Sequence, residues 1–287
     1  MFVTLEVTKR AAGGIIAKLT GILTKPKTML EVRTFLDVSY GAITAEEGRN
    51  GPDWAEIERA AREHTRWILL PEGLHLPADS TLRRYQPQQF DREVLLNTAC
   101  DIISRTRMPM YRRMLGLIDE EGRYSDMLEE LLKYYTCVKV VTRNLAHYRF
   151  AAERMMQELG APVLIAQELS SLSDCVLALC PGPYSSNEDF RMPCPVISSG
   201  GCSLRYRFDE FHGLQAGLPV ASPPAPPGIH THLFAGAFYE LCGADWITPT
   251  AHYLLFNHKV SSLSEAVRTV ALMAGISCCE AVFDSYC

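Results

Sequence analysis

No apolar run in the 287 residues approaches the roughly twenty needed to cross a bilayer. The most apolar early stretch, residues 13–23, is interrupted by Lys18 and is too short for a secretion-signal core with a cleavage site, so a cytoplasmic chain without a membrane partner is expected. Basic excess is also missing: 28 Lys and Arg stand against 33 Asp and Glu, a formal charge of -5, which gives no general electrostatic reason to expect nucleic acid. Low-complexity and repeat signatures are absent, and with 47% hydrophobic and 21% charged residues the composition is that of an ordinary globular protein. The ten cysteines contain no CxxC, and Cys278 and Cys279 are adjacent, which suits neither a disulfide framework nor a tetrahedral zinc site. Free thiols and no bound metal are expected.

One local charge bias is present. The first 33 residues carry Lys9, Arg10, Lys18, Lys25, Lys27 and Arg33 against Glu6 and Glu31, a face that is either simply solvated or in contact with an acidic partner. His230 and His232 form an H-x-H pair that would share a face on a strand. Following the Pro-rich run 223–227, they more naturally begin a helix, where the two side chains diverge.

The chain reads as α/β in three parts: an N-terminal α/β lobe at 1–105, a parallel sheet with helices on both faces at 106–210, and a C-terminal helical segment at 211–287 packing on the lobes. In the first part, 2–7 is strand-like, and the alternation of Leu30, Val32, Leu36 and Val38 with charged neighbours predicts one half-buried strand over 30–38. Asp53 and Glu56 form a capping-box-like helix start, 67–70 reads as a buried strand, and Phe90, Val94, Leu95, Ala99, Ile102 and Ile103 form the stripe of a helix linking the lobes. In the second part, short apolar strands at 114–118, 138–141, 163–166, 175–179 and 195–197 alternate with amphipathic helices. One helix is capped by Ser125; another carries Tyr148, Ala152, Met155 and Leu159 and stops at Gly160. Such alternation predicts parallel βαβ units with the 114–118 strand central. Beyond 198 the signals are an added strand at 204–208 and helices at 231–241 and 264–274, the last with Leu263, Val267, Val270 and Leu272 partly buried.

The stretch VVTRNLAHYRFAAERMMQELGA, followed by DCVLALCPGP, resembles the nucleotide-binding domain of shikimate dehydrogenases and glutamyl-tRNA reductases. That resemblance, over roughly 112–200, implies a Rossmann-like domain. It places cofactor contacts at the turn after the first strand (Asp119, Gly122, Arg123), at the Thr142-Arg143-Asn144 motif, at Cys180 and Gly182, and at Ser198. It also implies NADP, with Arg143 where an arginine could hold the 2′-phosphate; the alternative for Arg143 is a surface residue at a helix start. The glycine fingerprint of these families is missing. In its place stands Asp119-Glu120-Glu121-Gly122-Arg123-Tyr124, whose carboxylates would oppose a pyrophosphate. The catalytic groups do not carry over either, since the first cysteine, Cys100, lies on an amphipathic helix rather than in a nucleophile's setting.

Four readings follow. One is a degenerate nucleotide site without a dinucleotide cofactor, in a non-catalytic protein or one binding another small molecule in the interlobe crevice. The others are an NADP-dependent oxidoreductase, a Mg²⁺ site on Asp119, Glu120 and Glu121, and an assembly role with no small ligand. A homo-oligomer stays open in each. Any ligand is expected beyond the carboxyl ends of the strands, where 119–124, 142–144, 180–183 and 198–201 converge.

Overall fold

The computed structural model describes residues 1–9, 27–48, 51–186, 192, 194–199, 202–204, 209–220 and 222–276. The apolar stretch 13–23, residues 205–208 of the strand expected at 204–208, Gly200 and Gly201, and the Cys278–Cys279 pair therefore lie outside the described residues. In chain order the first elements are β1 (Val3–Thr8), β2 (Thr28–Phe35), β3 (Val38–Glu46), α1 (Trp54–Arg62), β4 (Trp67–Leu69), β5 (Arg83–Arg84) and α2 (Gln89–Arg105). Next come β6 (Met114–Ile118), α3 (Leu128–Leu131), β7 (Cys137–Val141), α4 (Leu145–Leu159), β8 (Val163–Ala166) and β9 (Leu177–Cys180). The last are β10 (Tyr184–Ser186), β11 (Val196–Ser198), β12 (Cys202–Leu204), β13 (Glu210–Ala216), α5 (Thr231–Cys242), β14 (Ala251–Phe256), β15 (Lys259–Ser262) and α6 (Leu263–Met273).

Two compact units result. The first holds residues 1–90 and 217–248; the second holds 91–216 and 249–287. The division at Phe90 falls inside α2.

The first unit is built on a five-stranded sheet in the order β2-β3-β1-β4-β5. Its central strand β1 is parallel to β3 and β4 and is buried on both faces, Val3 and Leu5 on one side and Phe2 on the other. Phe2 stacks on Tyr40 with centroids 5.5 Å apart and meets Phe234 and Phe238 of α5 edge-on. Asp53 caps α1 by accepting the Glu56 N–H at 3.3 Å, as the sequence implies. The strand expected at 30–38 is instead two strands. β2 turns at Leu36, which has φ 52°, and Val38 opens the antiparallel partner β3. Val32, on the edge strand β2, and Leu36, in the turn, are exposed rather than buried.

The second unit is an eight-stranded sheet, β15-β14-β13-β11-β9-β6-β7-β8. The run β8-β7-β6-β9-β11-β13 is parallel throughout, and counted from β6 it has the order 3-2-1-4-5-6 of the doubly wound dinucleotide-binding fold. β6 is central, as expected. Alternation along the strands divides the core: Leu115, Leu117, Val138, Leu177 and Leu179 pack with α2, α4 and α6, while Ile118, Val141, Ala178 and Val196 pack against Leu169 and Leu172. Gly116 allows this second layer to sit close, since a Cβ there would stand 3.0 Å from Leu172.

Two further expectations are corrected. The helix at Ser125 is a 3₁₀ turn, Ser125–Met127, followed by the single turn α3, although Met127, Leu128, Leu131 and Tyr135 are buried as its stripe requires. The segment 211–287, expected to be helical, contributes β13, β14 and β15 to the sheet. The β14–β15 hairpin turns on Asn257 and His258, both with positive φ, and His258 hides the usual Asn-Gly signal. α6 starts in a full capping box between Ser262 and Glu265 and buries Leu263, Val267 and Val270, whereas Leu272 is exposed.

Candidate functional site

β6 ends at Ile118, and Asp119 follows with only 3% of its surface accessible. Its carboxylate turns back into its own loop. Oδ1 accepts the backbone N–H groups of Gly122 at 2.9 Å and Arg123 at 3.1 Å, and Oδ2 accepts that of Tyr124 at 2.8 Å. A fourth bond comes from α4: the Tyr148 hydroxyl donates to Oδ2 at 2.6 Å. Burial, with the adjacent Asp119 carboxylate, pushes the Tyr148 phenol up, so it stays protonated and donating. Successive backbone N–H groups converging on one point form an anion-binding nest, the device by which such folds hold a phosphate. Here the anion is a side chain of the same loop. Gly122 makes the turn at φ 78°.

The flanking acids are paired. Arg143 Nη2 lies 2.7 Å from Glu120 Oε1, and Arg123 pairs with Glu121. Glu120 and Glu121 are also tied through their backbone, since Glu120 O accepts the Arg143 N–H at 3.1 Å and Glu121 O accepts Asn144 Nδ2 at 3.3 Å. Asn144 caps α4 by accepting the His147 N–H, and its own N–H donates to Thr142 Oγ1 at 3.0 Å. Asp119, Gly122, Arg123, Thr142, Arg143 and Asn144 therefore form one connected cluster. Gly182 joins it from the end of β9, where a Cβ would come within 3.0 Å of the Tyr124 ring. Cys180 is fully buried and its Sγ contacts Gly182 O at 3.3 Å. Ser198 is also fully buried, and its Oγ donates to Glu210 Oε1 at 2.6 Å, on β13.

A small hollow of about 20 Å³, room for roughly one water, lies beside Asp119 and is lined by Tyr124, Gly182 and Pro183 among others. Among the described residues no group of three His, Cys, Asp or Glu could hold a metal ion. His230 stands just before α5 as its N-cap residue, and the His232 ring lies against Phe90.

Three interactions escape a reading of the sequence. Tyr148 reads as part of a helical core stripe, Ser125 and His147 are linked at 2.7 Å between Oγ and Nε2, and Arg92 of α2 pairs with Asp126. The one signal available was the Asp-x-x-Gly spacing of Asp119 and Gly122, because Asp side chains bond backbone N–H groups a few residues ahead.

The order of the strands defines the class: a doubly wound α/β protein. No protein-family profile matches the chain, and no curated protein matches it. Among solved structures it is similar to the Thermococcus litoralis Δ1-pyrroline-2-carboxylate reductase in complex with NADH and L-proline, at 10% identity and a TM-score of 0.27. The match covers 42% of this chain and 40% of the reductase chain. No helix among the described residues is long and apolar enough to cross a membrane.

Proposed function

We propose that this chain has a dinucleotide-binding topology whose phosphate site is filled from within, and that it acts as a binding or assembly protein without NAD or NADP. The observation that carries this reading is the Asp119 carboxylate, which takes the three backbone N–H groups that would otherwise meet a phosphate. A ligand phosphate would have to displace a charged acceptor already satisfied by four donors. The helix terminus cannot compensate, because it offers an anion only about half a charge of attraction.

A second reading, an NADP-dependent oxidoreductase, rests on Arg143, whose exposed side chain follows the end of β7 where a 2′-phosphate would lie. Its pairing with Glu120 weighs against that role. Calorimetric titration with NADPH separates the two. Absence of binding at about 1 mM supports the filled site, whereas micromolar affinity abolished by Arg143→Ala establishes the oxidoreductase.

A further inference from the structure

Sheet edges present unpaired N–H and C=O groups, and most proteins blunt them with short strands, prolines, bulges or lysines. The edge strands β5, β8 and β15 are two to four residues long. β2 is different. It runs eight residues, Thr28–Phe35, without proline or lysine, pairs with β3 in unbroken register, and has no strand on its other side among the described residues. Met29 and Val32 on it are 70% and 51% exposed.

The phase of its hydrogen bonds follows from its neighbours. Glu46 donates its N–H to Lys27 O at 2.9 Å, whereas Gly41 turns its N–H away from β2, to Phe2 O at 2.9 Å. In the register Thr28↔Ala45 to Phe35↔Val38, the residues that bond β3 are therefore Met29, Glu31, Arg33 and Phe35. Leu30, Val32 and Thr34 aim their N–H and C=O groups out of the sheet. Side chains alternate as well: Leu30 packs towards Ile57 and Ala61 of α1, and Val32 shares its face, while Met29, Glu31 and Arg33 share the face on which Phe35 meets Trp246 edge-on.

We propose that β2 pairs antiparallel with β2 of a second copy of this chain, about a two-fold axis through Val32. Val32 then faces the partner's Val32 as a hydrogen-bonded pair and Leu30 faces the partner's Thr34, so every outward N–H and C=O of Leu30, Val32 and Thr34 finds a partner. Charge fits the same register. Glu31 pairs with Arg33 of its own strand at 2.8 Å and lies opposite the partner's Arg33, which makes a square of alternating charges, and the exposed Met29 covers the partner's Phe35. An axis through Glu31 or Arg33 would set like charges face to face, and one through Leu30 would set Arg33 against the partner's Lys27. This self-complementarity favours a second copy over a peptide of another protein, and an isologous contact closes as a dimer. The contact belongs to the first unit and does not involve the Asp119 loop, which is in the second.

Sedimentation equilibrium over about 10 μM to 1 mM tests this, with a reversible monomer–dimer equilibrium expected. Glu31→Arg and Arg33→Glu each leave only like charges at the contact, and each should raise the dissociation constant about tenfold or more. An equimolar mixture of the two variants restores opposite charges across the axis and should recover the dimer. Val32→Pro removes an N–H that points away from β3, so the monomer stays folded while the dimer weakens. Circular dichroism checks the fold of each variant. A monomer at every concentration, a dimer that none of the three substitutions weakens, or charge variants that do not recover the dimer on mixing overturns the proposal.

Discussion

Replacing Asp119 by Ala removes a buried acceptor from four donors at once, and the cost can be worked from their surroundings. The Tyr148 side chain is fully buried, so its stranded hydroxyl costs about 1–3 kcal/mol. The three loop N–H groups belong to residues that are half-buried or exposed, and water replaces part of what they lose, leaving about 0.5 kcal/mol each. The expected total is about 3 kcal/mol, a fall in Tm of about 6–12 °C for a domain of this size. Asp119→Asn keeps the shape and one acceptor oxygen and should cost roughly half as much. Urea denaturation read by far-UV circular dichroism measures both, with an unchanged m-value showing that the loss is local. Tyr148→Phe combined with Asp119→Ala closes a double-mutant cycle with an expected coupling of about 1.5 kcal/mol. A loss below about 0.5 kcal/mol for Asp119→Ala would refute the idea that this carboxylate organises the loop.

Two more outcomes follow from burial and close packing. Burial pushes the Cys100 and Cys194 thiols up to about 12, so iodoacetamide should leave them unmodified in the folded protein at pH 8. The unfolded chain releases these protons first, so stability present below the ordinary thiol range, near 9, should decline as pH rises from there towards about 12; a flat stability curve over that window would contradict it. Gly182→Ala should displace Tyr124 and change its near-UV circular dichroism, because a Cβ at 3.0 Å from the ring forces it to give way. An unaltered Tyr signal would mean that Tyr124 does not pack on Gly182.

The parallel sheet was legible because its strands are buried on both faces and read as short apolar blocks between amphipathic helices. Edges were harder. In β2 and β3 the apolar alternation runs through a tight turn at Leu36, and only the positive φ of that residue divides it. β14 and β15 lack the usual turn glycine, and residues 125–131 carry a full helical stripe yet form little more than a turn on each side of Leu128. At the site, sequence located the loop and the absence of its glycines, but not where each carboxylate points. Three successive acids suggest repulsion of a phosphate; in the structure Asp119 bonds the N–H groups of its own loop, and Glu120 and Glu121 are paired with Arg143 and Arg123. That difference depends on the direction of one side chain, which spacing does not encode.

Inorganic phosphate added to Asp119→Gly tests most directly whether the nest is an anion site filled from within. At about a hundred times its dissociation constant, a bound anion adds about 2.7 kcal/mol to stability. Phosphate should therefore raise the Tm of Asp119→Gly by several degrees more than that of the parent protein, whose response reports only the general stabilising effect of the salt. Equal shifts in the two proteins would show that the loop N–H groups form no anion site once Asp119 is removed.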